Sequence, residues 1–148
     1  MKFLKQKIKG VYLIKPNIFK DKRGFFRRHF CETEFHKNKL EKKVKQANIS
    51  INYKKGTLRG FHYQKKPFQE DKTMSCLKGE IYDIVVDLRK KSKTHGKWLC
   101  FRLSEKNKHA IHIPKGCANA FLTLKNNTIV HYYCSELYNP KYEGLVNY

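Results

Sequence analysis

The stretch Lys78-Gly79-Glu80-Ile81-Tyr82-Asp83-Ile84-Val85-Val86-Asp87-Leu88 decides the fold. Tyr82, Ile84 and Val86 alternate with Asp83, Val85 and Asp87, and a period of two belongs to a β-strand. One face of that strand carries carboxylates, which points into a cavity between layers. Lys78-Gly79 is the turn signal in front of it. The pattern recurs on both sides. Val11 to Ile14, stopped by Pro16, and Gly24-Phe25-Phe26 read as strands, as do 44–51, 58–64, 73–77, 98–103, 110–113, 118–124 and 128–134. His95-Gly96, Pro114-Lys115-Gly116 and Lys125-Asn126-Asn127 separate several of them. Only Glu32 to Lys43, with Phe35 and Leu40 among charges, reads as a helix, and a short one. Many short strands with almost no helix imply an all-β antiparallel sandwich or barrel.

The chain has 148 residues, enough for one domain, and no linker or composition shift divides it. The net charge is +21. Three readings fit so large a charge: nucleic acid, a smaller polyanion such as a nucleotide diphosphate, or a solvated lysine surface. The lysines are scattered through nearly every segment rather than gathered on one arm, which favours the solvated surface and argues against nucleic acid. No apolar run approaches the ~20 residues of a membrane span. Met1-Lys2-Phe3-Leu4-Lys5-Gln6-Lys7 has charge but no apolar core or cleavage site, so no signal peptide is expected. Five dispersed cysteines without a C-x-x-C pair read as reduced thiols of a cytoplasmic protein.

Three strings hold candidate chemistry. In Asp21-Lys22-Arg23-Gly24-Phe25-Phe26 the Asp and Gly suit a turn, Arg23 can fork onto a phosphate and Phe26 can cover a ring. In Leu58-Arg59-Gly60-Phe61-His62-Tyr63-Gln64, Arg59 and His62 stand three apart and nominally face opposite sides of a strand. The glycine between them marks a bulge or a close approach. The third string, residues 113–121, is a turn feeding a strand. A strand histidine or tyrosine with no further context is usually a packed core residue. The histidines also lack the H-x-H spacing of a metal-binding strand unit, so no metal site is expected.

Taken together and in this order, these strings resemble the dTDP-4-dehydrorhamnose 3,5-epimerase family. The match includes Gly10-Val11, Gln46-x-Asn48-x-Ser50, the 58–64 string, Lys72 and Gly79 to Arg89. It runs on through Ser92-x-Thr94-x-Gly96-x-Trp98, Leu103-Ser104-x-x-Asn107, Ile113-Pro114-x-Gly116, Tyr132, Tyr138, Pro140 and Glu143-Gly144, so it covers essentially the whole chain. The resemblance implies a jelly-roll cupin fold with one or two short helices, a homodimer, and no cofactor. The implied substrate is a nucleotide-linked 4-keto-6-deoxy sugar destined for cell-surface polysaccharide, epimerised at C3, C5 or both. His62 would be the base, Tyr132 the acid and Lys72 the cation beside the developing enolate, with Asp83 orienting His62 or Lys72. Arg23 and Arg59 would hold the diphosphate or nucleotide, with Phe26, Gln46, Asn48, Tyr138 and Glu143 as further ligand contacts.

Three departures bear on the site. Arg28 stands where the family has a glutamate that contacts the nucleotide, and a guanidinium only donates hydrogen bonds where a carboxylate accepts them. Asn119 stands where the family has histidine; it is expected to donate a hydrogen bond but cannot share a proton. The sequence stops at Tyr148 while relatives continue into a segment that supplies the carboxylate partner of the catalytic histidine. Either Asp83 or a partner chain would have to replace it. A cupin that binds a nucleotide sugar or other polyanion without catalysis is the alternative function.

Overall fold

The computed structural model describes residues 1–146. Positions 147–148, the end of the expected 1–148 domain, lie outside the described residues. Thirteen strands form: β1 Lys2–Lys5, β2 Tyr12–Lys15, β3 Ile18–Asp21, β4 Gly24–Arg27, β5 Gln46–Asn52, β6 Leu58–Gln64, β7 Lys72–Lys78, β8 Glu80–Asp87, β9 Trp98–Ser104, β10 Ala110–Ile113, β11 Cys117–Thr123, β12 Thr128–Cys134 and β13 Glu143–Leu145. They pair antiparallel into a six-stranded sheet, β1-β2-β10-β7-β12-β5, and a five-stranded sheet, β13-β6-β11-β8-β9, with β3-β4 as a separate ribbon. This is the expected all-β jelly roll.

The sheets meet through the inward residues of alternating strands. Met74, Cys76, Ile111, Ile113 and Val130 of one sheet pack with Ile81, Val85, Leu103 and Phe121 of the other. The strand that decides the fold behaves as its alternation requires: Ile81, Asp83, Val85 and Asp87 are all fully buried. A second apolar cluster lies under helix α1 (Glu32–Lys37), where Phe35 packs with Ile14, Leu40, Ala110 and Tyr133. The helix is half the expected length. Lys39 adopts a left-handed φ of 59°, and the Leu40 amide turns back to the Phe35 carbonyl. Leu40 is thereby buried by a turn rather than by continued helix. A single turn of 3-10 helix follows at Pro140–Tyr142, and β1, β3 and β13, short strands without a clear alternation, were not legible in the sequence.

Asp87 shows how a buried carboxylate is made stable. Its two oxygens accept bonds from the Arg89 guanidinium at 2.7 and 2.9 Å, from Ser92 Oγ at 2.6 Å and from Thr94 Oγ1 at 2.7 Å. Burial alone would raise its pKa, but these donors win and hold it well below the ordinary carboxylate range. The network closes the β8–β9 loop and sets Arg89 against Gly116, the turn that launches β11. Asp87→Ala is expected to lower unfolding stability by about 3–4 kcal/mol, read as a drop in the urea midpoint. A carboxylate with a depressed native pKa stabilises fully above its unfolded value near pH 4 and less as pH falls through the native one. Wild type and variant should therefore converge in strong acid. A constant gap there would contradict this role.

Candidate active site

The apolar core does not fill the space between the sheets. At the β5–β6 end the inward residues turn polar and enclose a cavity of about 390 Å³. Gln46, Asn48 and Ser50 of β5 line it, with Lys72 of β7 and Tyr132 of β12 on the same sheet. Arg59 and His62 of β6 and Asn119 of β11 line it from the other sheet, and Tyr138 and Glu143 come from the C-terminal side.

Arg59 and His62 reach the same cavity because β6 is bulged. Phe121 pairs with Arg59 and Asn119 pairs with His62, so β6 advances three residues while β11 advances two. The extra residue undoes the nominal opposition of positions three apart. Gly60 permits it: its φ is 128°, and a side chain there would sit 2.5 Å from the Cα of Ala120. Arg59 Nε then donates to Asn52 Oδ1 at 2.7 Å, which fixes the guanidinium at the cavity edge.

His62 has a carboxylate partner, and it is Glu143. The His62 Nδ1–Glu143 Oε1 distance is 2.9 Å, while Tyr138 Oη donates to Glu143 Oε2 at 3.0 Å. β13 places Glu143 there by pairing with β6, Glu143 opposite Gln64 and Leu145 opposite His62. Gly144, between them, lies directly on the Tyr63 ring, where no side chain would fit. With Nδ1 engaged as an N–H donor, Nε2 is the ring nitrogen that offers a lone pair.

On the facing sheet, Lys72 Nζ pairs with Glu70 Oε1 at 3.1 Å and lies 5.5 Å from the centre of the Tyr132 ring. Burial disfavours the ammonium, but the Glu70 carboxylate beside it favours the charged form and its pKa lies above the ordinary lysine value, so it stays charged. Burial also raises the Tyr132 pKa, against the pull of Lys72, so its phenol stays protonated. Gln64 Nε2 donates to Glu70 at 3.1 Å, tying the end of β6 to the loop that leads into β7.

Asp83 does not orient His62 or Lys72 as expected. It is fully buried, accepts from Asn119 Nδ2 at 2.5 Å, and senses Lys72 only through its charge. Burial pushes its pKa up to about 7. Arg23, Phe26 and Arg28 are not brought to this cavity. Arg23 and Phe26 are exposed on the ribbon, where Arg23 pairs with Asp21, and Arg28 pairs with Glu34 at the start of α1. Sequence reasoning placed Glu143 among ligand contacts and missed its bond to His62, because the two are 81 residues apart. Among the described residues no cluster of three or more His, Cys, Asp or Glu side chains could hold a metal, and no helix is long and apolar enough to cross a membrane.

Proton removal from one sheet and proton delivery from the other is the chemistry of an isomerase that inverts carbon centres, and this jelly roll falls into that class. The sequence model of the dTDP-4-dehydrorhamnose 3,5-epimerases matches residues 5–148. The chain belongs to that family. A dTDP-4-dehydrorhamnose 3,5-epimerase from Methanothermobacter thermautotrophicus is 42% identical over 97% of this chain and 76% of its own. The crystal structure of the Elizabethkingia anophelis enzyme superposes with a TM-score of 0.94 at 38% identity, over 99% of this chain and 80% of that one. A dTDP-6-deoxy-D-glucose-3,5-epimerase from Legionella pneumophila, solved in complex with dTDP-4-keto-L-rhamnose, gives a TM-score of 0.94 at 34% identity, over 99% and 78% of the two chains.

Proposed function

We propose that this chain inverts C3 and C5 of a dTDP-linked 4-keto-6-deoxyhexose. The observation that carries the reading is His62, held through Nδ1 by Glu143 on one sheet, facing Tyr132 and Lys72 on the other. The C4 ketone acidifies the protons on C3 and C5. His62 Nε2 takes one of them, and the electron pair moves onto the C4 oxygen as an enolate. The Lys72 ammonium stabilises that negative charge as it forms. Tyr132 Oη returns a proton to the opposite face of the carbon, which restores the ketone with the centre inverted. His62 then sheds its proton to solvent and Tyr132 regains one, and the second carbon follows. A binder that only held a polyanion would have no use for an imidazole–carboxylate pair facing a half-buried phenol.

Incubation of the keto sugar nucleotide in heavy water tests the reading. Deuterium should enter at C3 and C5, followed by NMR, only when the protein is present. Absence of protein-dependent exchange would refute it. The five cysteines are free thiols, which supports a reducing, cytoplasmic setting.

The ribbon supports a homodimer with shared pockets. Phe19 and Phe26, cross-strand partners on one face of the ribbon, lie exposed, with Arg23 at its turn and away from the chain's own cavity. An exposed aromatic pair with a cation at the adjoining turn suits the nucleotide pocket of a second copy. Arg23→Ala and His62→Ala chains, each impaired alone, should regain about a quarter of wild-type turnover when co-assembled, since half of random dimers are mixed and each mixed dimer holds one complete site. No recovery would mean that each chain uses its own Arg23.

A further inference from the structure

Asn119 lines the cavity opposite His62 in register yet is only 5% exposed. Its amide nitrogen is fully committed to the protein. Nδ2 donates to Asp83 Oδ1 at 2.5 Å and lies 3.5 Å from the carbonyls of Ile84 and Ala120. The carbonyl oxygen Oδ1 has no hydrogen-bond partner among the described residues and is the atom left to the cavity. The sequence alone suggested a donor at this position; the structure makes it an acceptor.

Asp83 is what fixes that polarity. It is fully buried, no side-chain cation touches it, and its Oδ2 has no partner among the described residues. An ionised carboxylate can only accept, so it forces the N–H side of the Asn119 amide towards itself. Buried carboxylates with an orphan oxygen are uncommon because they cost stability, and this one has a positional effect to show for it.

We propose that the Asp83–Asn119 pair makes the cavity wall beside the base a hydrogen-bond acceptor, so that the site selects a sugar ring bearing a hydroxyl there and rejects the deoxy analogue. The inference rests on the sugar-nucleotide reading above and adds a specificity determinant to it. Asn119 is the contacting residue and Asp83 the positioning one. A substrate hydroxyl donates to Asn119 Oδ1; a ring lacking it leaves the oxygen of this nearly buried side chain unpaired, which is the situation that gives strong discrimination.

The test follows deuterium entry at C5, a position all the substrates share, at about pH 8.5, where Asp83 is ionised. The parent dTDP-linked 4-keto-6-deoxyhexose is compared with its 2-deoxy and 3-deoxy analogues. Wild type should lose about 10- to 100-fold in kcat/KM with one of the two analogues. Asp83→Val, a strand-compatible substitution, should collapse that ratio to about threefold or less while C5 exchange persists, an effect that loss of packing alone would not produce. Wild type that treats all three sugars alike overturns the proposal, as does an undiminished ratio in Asp83→Val. If the parent shows no exchange, it is the epimerase reading that fails. Calorimetric binding of dTDP-glucose and its 2-deoxy and 3-deoxy forms then decides the acceptor on the same criterion, without catalysis.

Discussion

His62→Ala is expected to reduce deuterium exchange at both C3 and C5 by roughly a thousandfold or more. Among the described residues no other group on that wall replaces it: Glu143 is held by Tyr138, and the Asn119 amide has no basic lone pair to take a proton. The side chain is about half exposed and makes no core contact that the fold needs, so unfolding temperature should move little. His62→Asn serves as a second variant, since its amide can still donate to Glu143 and keep that carboxylate in place. Both should fail alike in exchange. Exchange near the wild-type rate in either variant would remove His62 as the base.

The second large effect is expected from Lys72→Met. Loss of the ammonium beside the developing enolate should lower kcat by about 100- to 1000-fold, with a smaller change in KM, because the charge it opposes exists fully only in the transition state. The substitution also strands Glu70, which keeps the Gln64 amide as a donor but loses its cation. Removing one member of a largely buried pair costs about 3–5 kcal/mol, so stability must be separated from chemistry. Lys72→Met with Glu70→Gln removes both charges and is expected to recover most of the stability while leaving kcat low. Recovery of rate together with stability would show that Lys72 is a structural cation only.

The fold was legible where alternation is strong. β8 could be read from its own eight residues, because an apolar–polar period of two leaves one arrangement against a core, and β10 and β12, each next to a turn signal, matched their expected limits. Elements held by tertiary contacts were not legible. Helix α1 stops at Lys37 because burying Leu40 under the helix favours a turn, which no propensity of 38–43 reveals. The site divides in the same way. His62, Tyr132, Lys72 and Arg59 stood out by residue type within a recognisable order, and the glycine between Arg59 and His62 hinted at the bulge that lets both reach the cavity. The partner relations did not stand out. Glu143 meets His62, and Asn119 rather than His62 meets Asp83, through strand pairings 81 and 36 residues apart. Such distances leave no local pattern to read.

The last of the described strands to leave the ribosome is β13, which brings Glu143 to His62. The other strands of both sheets and the imidazole are encoded before it, while β13 adds an edge to the five-stranded sheet and Glu143 to the cavity wall. Most of the pocket can therefore form while the base is still unaligned. The imidazole gains its carboxylate only when residues 143–145 dock along β6. Alignment of the base thus hangs on an edge strand of three residues, and a cut just before Glu143 is expected to spare the core while releasing the base from its partner.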